Sequence, residues 1–175
     1  VAYCADAGYV SGVGDNKFAP DEKVTGYQFG KMLLCALGYD ATIEEMIGAS
    51  WTIKVAKLME KNSISKGTSK LGAAVLTREE AAQYALNALK ATMVEYDEKG
   101  STITAGDVTI VTGAKKAKDV EISDAKYTKI SGETFATGKK YTVQLGEKLY
   151  DGKLVLSSGS SDDFGRPATV WTYDS

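Results

Sequence analysis

The chain repeats itself, and the repeat settles its architecture before any single residue is weighed. Thr25-Gly26-Tyr27-Gln28 and Thr77-Arg78-Glu79-Glu80 have the spacing of a capping box. In such a box a threonine oxygen accepts an early helical N–H while a Gln or Glu three residues on reaches back to the cap. After the first box, Phe29, Met32, Leu33, Ala36 and Leu37 fall at i, i+3, i+4, i+7 and i+8, the spacing of one apolar stripe on a helix. After the second, Ala81, Ala82, Ala85, Leu86, Leu89 and Met93 form the matching stripe. Upstream, the run from Val1 to Ser11 aligns with that from Val55 to Ser65, so the offset is 54 residues there and 52 at the boxes. Gly8 and Asn62 fall in register where a first helix would stop, and both residue types tolerate positive φ. Gly38 is placed to end the second helix of the first copy. The unit is helix, loop, helix, about fifty residues long, present twice.

The stretch from Gly12 to Lys23 connects the helices of the first copy. Counted from Asp15, the third, sixth and twelfth positions are Lys17, Pro20 and Gly26, where a calcium loop needs an oxygen ligand, a glycine and a bidentate glutamate. Gly12-Val13-Gly14 has no third glycine and no following Lys-Ser or Lys-Thr, so a phosphate loop is excluded as well. Turn chemistry remains, at Gly14-Asp15-Asn16 and at Pro20-Asp21. The expectation is a loop that binds no metal ion and is anchored by Phe18, buried between the flanking helices.

Beyond Tyr96 the grammar changes. Asp97-Glu98-Lys99-Gly100-Ser101 is a polar break, after which residues alternate with period two at 108–112 and again at 141–145. These read as half-buried strands. Gly146, Gly152, Gly159 and Gly165 punctuate the last third, where Phe164 to Tyr173 reads as a turn feeding a strand with Trp171 and Tyr173 on one face. That aromatic pair suits cross-strand packing or the stacking of a sugar ring. The expected fold class is α+β: N-terminal helical repeats followed by a small antiparallel β region. Residues 1–95 hold the repeats, with a partial first copy at 1–40 and a second at 51–95, and residues 96–175 form a meander or small barrel of about five or six strands.

Composition removes several functions. The chain is 43% apolar and 25% charged, with a net charge of −2 and no clustered basic segment, so nucleic acid is not an expected partner. Histidine is absent, which removes the commonest general base, the commonest zinc ligand and any Ser-His-Asp triad. Ser157, Ser158, Ser160 and Ser161 around Gly159 read as a loop. The carboxylate pairs Glu44-Glu45, Glu79-Glu80 and Asp162-Asp163 are sequence neighbours, with no sign of the convergence a glycosidase needs. No catalytic residue, metal or cofactor is expected. Cys4 and Cys35 occupy core-like positions of expected helices and read as small buried hydrophobes, a disulfide in an oxidising compartment being the alternative. No run of eighteen apolar residues occurs, so no membrane span is expected. The chain opens mid-repeat on Val-Ala-Tyr, as a piece of a longer secreted protein would.

The string from Gly8 to Thr25, G-Y-V-S-G-V-G-D-N-K-F-A-P-D-E-K-V-T, resembles the S-layer homology motif. That motif combines a glycine turn, a G-x-x-D-x-x-F-x-P loop and a second helix opening on a T-R-A-E-like box. The second copy adds Trp51 at the start of its first helix and Leu76-Thr77-Arg78-Glu79-Glu80 for the box, so the resemblance extends to about residue 95. Departures are Gly26 where the family has arginine, and Lys66 to Gly72 in place of the F-x-P loop.

The resemblance implies a non-enzymatic, non-covalent anchoring module of a secreted bacterial surface protein, held in the cell wall or S-layer. Its expected ligand is secondary cell-wall polysaccharide, often pyruvylated, in grooves where repeats meet. Neighbouring repeats and other surface-layer subunits are the further partners implied. The glycan-binding residues it implies are Arg78, Trp51 and Thr77. Arg78 would offer its fork of donors and the positive end of a helix to a carboxylate, and Trp51 an apolar wall. Arg78 as a solvated first-turn residue paired with Glu79 or Glu80 is an equal reading. At the level of the whole chain the alternative is a scaffold or protein-interaction segment with decayed repeats and no glycan binding.

Overall fold

The computed structural model describes residues 2–10, 12, 17–68, 72–106, 108–130, 133–161 and 163–174. They fall into two compact units, Val1–Ala88 with Val94–Lys118 and Leu89–Met93 with Asp119–Ser175.

The helices are α1 (Ala2–Asp6), α2 (Gly26–Ala36), α3 (Trp51–Lys61) and α4 (Arg78–Lys90), followed after residue 100 only by short α5 (Leu145–Leu149) and a 3-10 turn at Ala125–Tyr127 among the described residues. Both capping boxes close as their spacing predicts. Thr25 Oγ1 accepts the Gln28 N–H at 3.3 Å and Gln28 Oε1 accepts the Thr25 N–H at 2.8 Å. At the second box the corresponding Thr77 and Glu80 distances are 3.2 and 2.8 Å. Each satisfies N–H groups that a helix start leaves open, worth about 1 kcal/mol. Gly8 and Gly38 take positive φ at their helix ends, +72° and +107°. Asn62 does not: its φ is −95°, and Ser63 takes the left-handed position at 55°. The reason is the Asn62 side chain, whose Nδ2 donates to the Leu58 carbonyl at 2.8 Å and to the Tyr39 hydroxyl at 3.1 Å, closing the helix without help from its own φ.

The buried face of α2 is rotated from the stripe expected of it. Gly26, Gly30 and Leu34 are the buried residues, with Leu37 beyond them, whereas Phe29, Met32, Leu33 and Ala36 are half-buried. Gly30 explains the turn. A Cβ there would collide with the Met59 thioether, so α2 and α3 approach through a glycine and Met59 fills the space. Gly26 is equally confined: a Cβ would stand 2.8 Å from Gly72 Cα and 3.0 Å from the Tyr84 hydroxyl. The segments leading into α2 and α4 pair antiparallel at Thr25 and Val75, with Leu76 N–H to Val24 O and Gly26 N–H to Ala74 O both at 3.0 Å. Phe29 and Tyr84 stack with ring centroids 6.5 Å apart. Leu34, Leu37, Met46, Val55, Ile64 and Tyr84 form the centre of this core. On α4 it is Tyr84 and Ala88 that are buried, while Ala82 and Leu86 of the expected stripe face outward.

The strands are β1 (Val94–Glu95), β2 (Ser101–Ala105), β3 (Val108–Thr112), β4 (Lys118–Asp119), β5 (Glu121–Ile122), β6 (Tyr141–Thr142), β7 (Leu154–Ser161) and β8 (Pro167–Tyr173). Among them β2 pairs with β3, β5 with β6 and β7 with β8, each antiparallel and each in a two-stranded sheet. The expected meander or barrel of five or six strands is therefore corrected among the described residues. A hairpin's register is set by its own turn, whereas a larger sheet needs free edges from distant strands to meet over a shared apolar face. The hairpin β2–β3 has its Ile103–Ile110 pair more than half exposed, so its strands are as expected but their burial is not.

In the second unit, Tyr127, Ile130, Tyr141, Val143, Leu145 and Leu154 are buried around Glu147, which is wholly buried. The Glu147 carboxylate accepts the Ile130 N–H at 2.9 Å and, as part of a capping box, the Gln144 N–H at 3.1 Å. That box converts the expected strand 141–145 into a two-residue strand followed by α5. The serine run expected as a loop is strand instead: residues 157–161 belong to β7, with a register shift between Ser157 and Ser160. Pairing with β8 overrides the weak strand preference of serine and glycine, and the irregularity absorbs the extra length. The fold is α+β, a helical N-terminal part followed by small antiparallel strand pairs.

Candidate functional site

The exposed side of α2, opposite its glycine face, carries two adjoining grooves. The first, of about 710 Å³, is lined by residues that include Tyr9, Phe18, Gln28, Lys31, Met32 and Trp51. The second, of about 650 Å³, is lined by Phe29, Met32, Leu76, Thr77, Arg78 and Ala81 among others. Lys23, Val24 and Met32 border both. At about 100° per residue on a helix, the angular order around α2 is Lys31, Gln28, Met32, Phe29. Lys31 and Gln28 thus face the first groove, Phe29 the second, and Met32 the ridge between.

Trp51 opens α3 and is half-buried in the first groove, with the Lys31 ammonium 5.8 Å from its ring centroid. Lys23 and Lys31 are the cations of this groove and Glu22 its acid. Phe18 is not the buried anchor expected: it is 48% exposed and forms part of the groove wall. The core of this unit is built without it, from residues that include Leu34, Leu37 and Met46. The Gly14-Asp15-Asn16 turn lies outside the described residues.

Thr77 and Arg78 border the second groove, both exposed. Thr77 is occupied with the capping box, accepting from Glu80 N–H and meeting Glu80 Oε2 at 3.0 Å. Arg78 is the first residue of α4, so its guanidinium stands at the positive end of a thirteen-residue helix. Among the described residues it forms no ion pair. The three expected glycan contacts are thus divided: Arg78 and Thr77 share a groove, and Trp51 lies in the neighbouring one.

Lys23, Lys31, Met32 and Phe18 border these grooves without having been singled out in the sequence as ligand contacts. The signal that could have found them is Gly26 and Gly30, four residues apart, which mark the close-packed face of α2 and leave the opposite face free. Cys4 and Cys35 are free and half-buried, and burial pushes the Cys35 thiol up from its ordinary value. A thiol so placed stays protonated near neutral pH and packs as an apolar group. Among the described residues no three metal-ligating side chains gather, and no helix is long and apolar enough to cross a membrane.

The described residues thus combine an α+β fold with a groove bordered by Thr77 and Arg78 at the start of α4. Residues 1–29 match the family model of the S-layer homology domain. The match spans α1, the loop and the first turn of α2. No curated protein and no solved structure matches the chain significantly. The family is one of non-catalytic anchoring domains associated with bacterial cell surfaces, which bind cell-wall components.

Proposed function

We propose that this chain is a non-covalent anchoring module that holds a secreted bacterial surface protein to secondary cell-wall polysaccharide, with no catalytic role of its own. The observation that carries the reading is Arg78. It is an exposed guanidinium without an ion pair among the described residues, at a helix N-terminus and on the rim of an apolar groove. An acidic sugar such as a pyruvylated residue finds there a bidentate donor and the helix dipole together. Trp51 and Lys31 in the neighbouring groove add an apolar ring and a second cation, the complement a sugar with one carboxylate needs.

Gly26 supports a modified role for the first copy rather than simple decay. Its position has no room for a side chain, so the cation that the family carries after its threonine is absent there and Lys31 lies further along α2. The rival scaffold reading keeps the grooves empty of glycan. Titration of purified pyruvylated wall polysaccharide against the parent chain and Arg78→Ala separates the two. Anchoring predicts measurable, salt-sensitive binding that Arg78→Ala weakens. Unchanged binding by Arg78→Ala moves the site elsewhere, and no binding by the parent supports the scaffold.

A further inference from the structure

We propose that the outer edge of β2 is a self-pairing surface: two copies of this chain join antiparallel along β2, about a two-fold axis at Ile103, into one four-stranded sheet.

The register identifies the edge. Ser101 to Ala105 pair with Val108 to Thr112, and only two residues separate the partners Ala105 and Val108. In such a hairpin the closing pair exchanges both of its N–H···O bonds and the pattern alternates from there. Ser101, Ile103 and Ala105 therefore turn their backbone groups to β3, while Thr102 and Thr104 turn theirs outward. The Thr104 and Thr109 hydroxyls, 3.5 Å apart, belong to a pair not bonded through the backbone, where side chains stand closer. Among the described residues β2 has no second neighbour. Ser101, Thr102, Ile103 and Thr104 are all exposed, whereas Thr109 and Val111 of β3 are half-buried. The free edge is that of β2, and its alternating donors and acceptors fit an extended strand.

This edge lacks the features that keep strands from pairing. Its register runs without a bulge, neither strand contains a proline or a charged residue, and Asp107 is the single charge from Ser101 to Ala114. The other long hairpin, β7–β8, has both a register shift between Ser157 and Ser160 and Pro167 at the start of β8.

A second copy fits by symmetry. With Ile103 opposite its own counterpart, Thr102 lies opposite Thr104 of the second copy, so both outward residues of each β2 exchange N–H···O bonds. Within each chain Ile103 pairs with Ile110, and they are 59% and 55% exposed. The joined sheet sets the four isoleucines in one row on one face, Ile110, Ile103, Ile103, Ile110, and no charge opposes them. A contact made by the same strand of each copy closes at two, whereas β2 on the β3 of the next copy leaves an edge at each end and grows into a ribbon. The contact is small, so the dimer is weak and forms at high concentration.

Sedimentation equilibrium of the full chain from micromolar to millimolar concentration, with exchange of single amide hydrogens at both ends of that range, tests the proposal. The mass should rise from 18.6 kDa to twice that value and stop there. The Thr102 and Thr104 amides should exchange freely in the monomer and become protected in the dimer, while that of Ile103, bonded within the hairpin, should change little. Thr104→Pro removes an outward N–H that the hairpin itself does not use, so it should stay at the monomer mass with an unchanged circular dichroism spectrum. Ile103→Lys, which sets two ammonium groups face to face on the axis, should also abolish the rise. If Thr104→Pro fails to fold, the amides of the parent decide alone. A parent that remains monomeric at millimolar concentration, or one whose Thr102 and Thr104 amides stay unprotected while its mass doubles, would overturn the proposal. So would a mass that keeps growing past two copies, which is the signature of the ribbon.

Discussion

Gly26 and Gly72 meet backbone to backbone, with 2.8 Å between Gly72 Cα and the point where a Gly26 side chain would begin. The contact sits beside the Thr25–Val75 bridge that ties the starts of α2 and α4 together. The residue that departs most plainly from the family pattern is therefore fixed by packing between the copies. Gly26→Arg, which restores the family's usual residue, should destabilise the first unit by about 1–3 kcal/mol, the ordinary cost of overpacking. Urea unfolding followed by circular dichroism measures it. A neutral or stabilising result would show that the two segments are not held this closely.

The Gly30 and Met59 pair should behave as one unit. Gly30→Ala should cost about 1–3 kcal/mol through collision with the Met59 thioether. Met59→Ala should cost about 2–5 kcal/mol through the cavity it leaves. Because the added methyl partly fills that cavity, the double variant should cost less than the sum by about 0.5–3 kcal/mol. Additive losses in a double-mutant cycle would deny the contact.

Arg78→Ala should weaken wall-polysaccharide binding by about 1.4- to fivefold, since an exposed ion pair is worth about 0.2–1 kcal/mol. Parent affinity should fall as salt rises, because the reach of exposed charge shrinks to about 3 Å at 1 M ionic strength. Trp51→Ala should reduce binding too, and its melting temperature must be read beside its affinity because Trp51 is half-buried. Salt-independent affinity in the parent would argue against a charged ligand.

Alkaline stability should report on Tyr96. Burial pushes its hydroxyl far above the ordinary tyrosine value of about 10. The hydroxyl donates to Glu44 Oε1 at 2.7 Å and accepts the Asp40 N–H at 3.2 Å. The folded state thus favours the neutral phenol. Its contribution is complete below about pH 10 and is lost as pH rises above that, where the unfolded chain ionises first. Tyr96→Phe should be less stable than the parent at pH 7 by about 0.5–1.5 kcal/mol and should lose less stability between pH 9 and pH 11. Burial raises Tyr84 as well, so a smaller alkaline loss remains in the variant. Parallel curves for parent and variant across that range would remove Tyr96 from the account.

Local chemistry fixed the ends of the elements. Thr25 with Gln28, Thr77 with Glu80, and the glycines at 8 and 38 specify where helices start and stop through atoms only a few residues apart, so they were legible in the sequence. The change from helices to strands beyond residue 100 was legible for the same reason. What tertiary structure decided was which face of each element is buried. Phe29 and Met32 read as core in an apolar stripe, yet Gly26 and Gly30 let α2 approach its neighbours along the other face, leaving Phe29 and Met32 beside the grooves. Phe18 likewise lines a groove wall while Leu34, Leu37 and Met46 are fully buried. The strands obeyed the same division, because period-two alternation announces a strand but not its partner. Whether residues so distant in the chain as Trp51, Lys31 and Arg78 share one groove or two depends on helix contacts that no local pattern records.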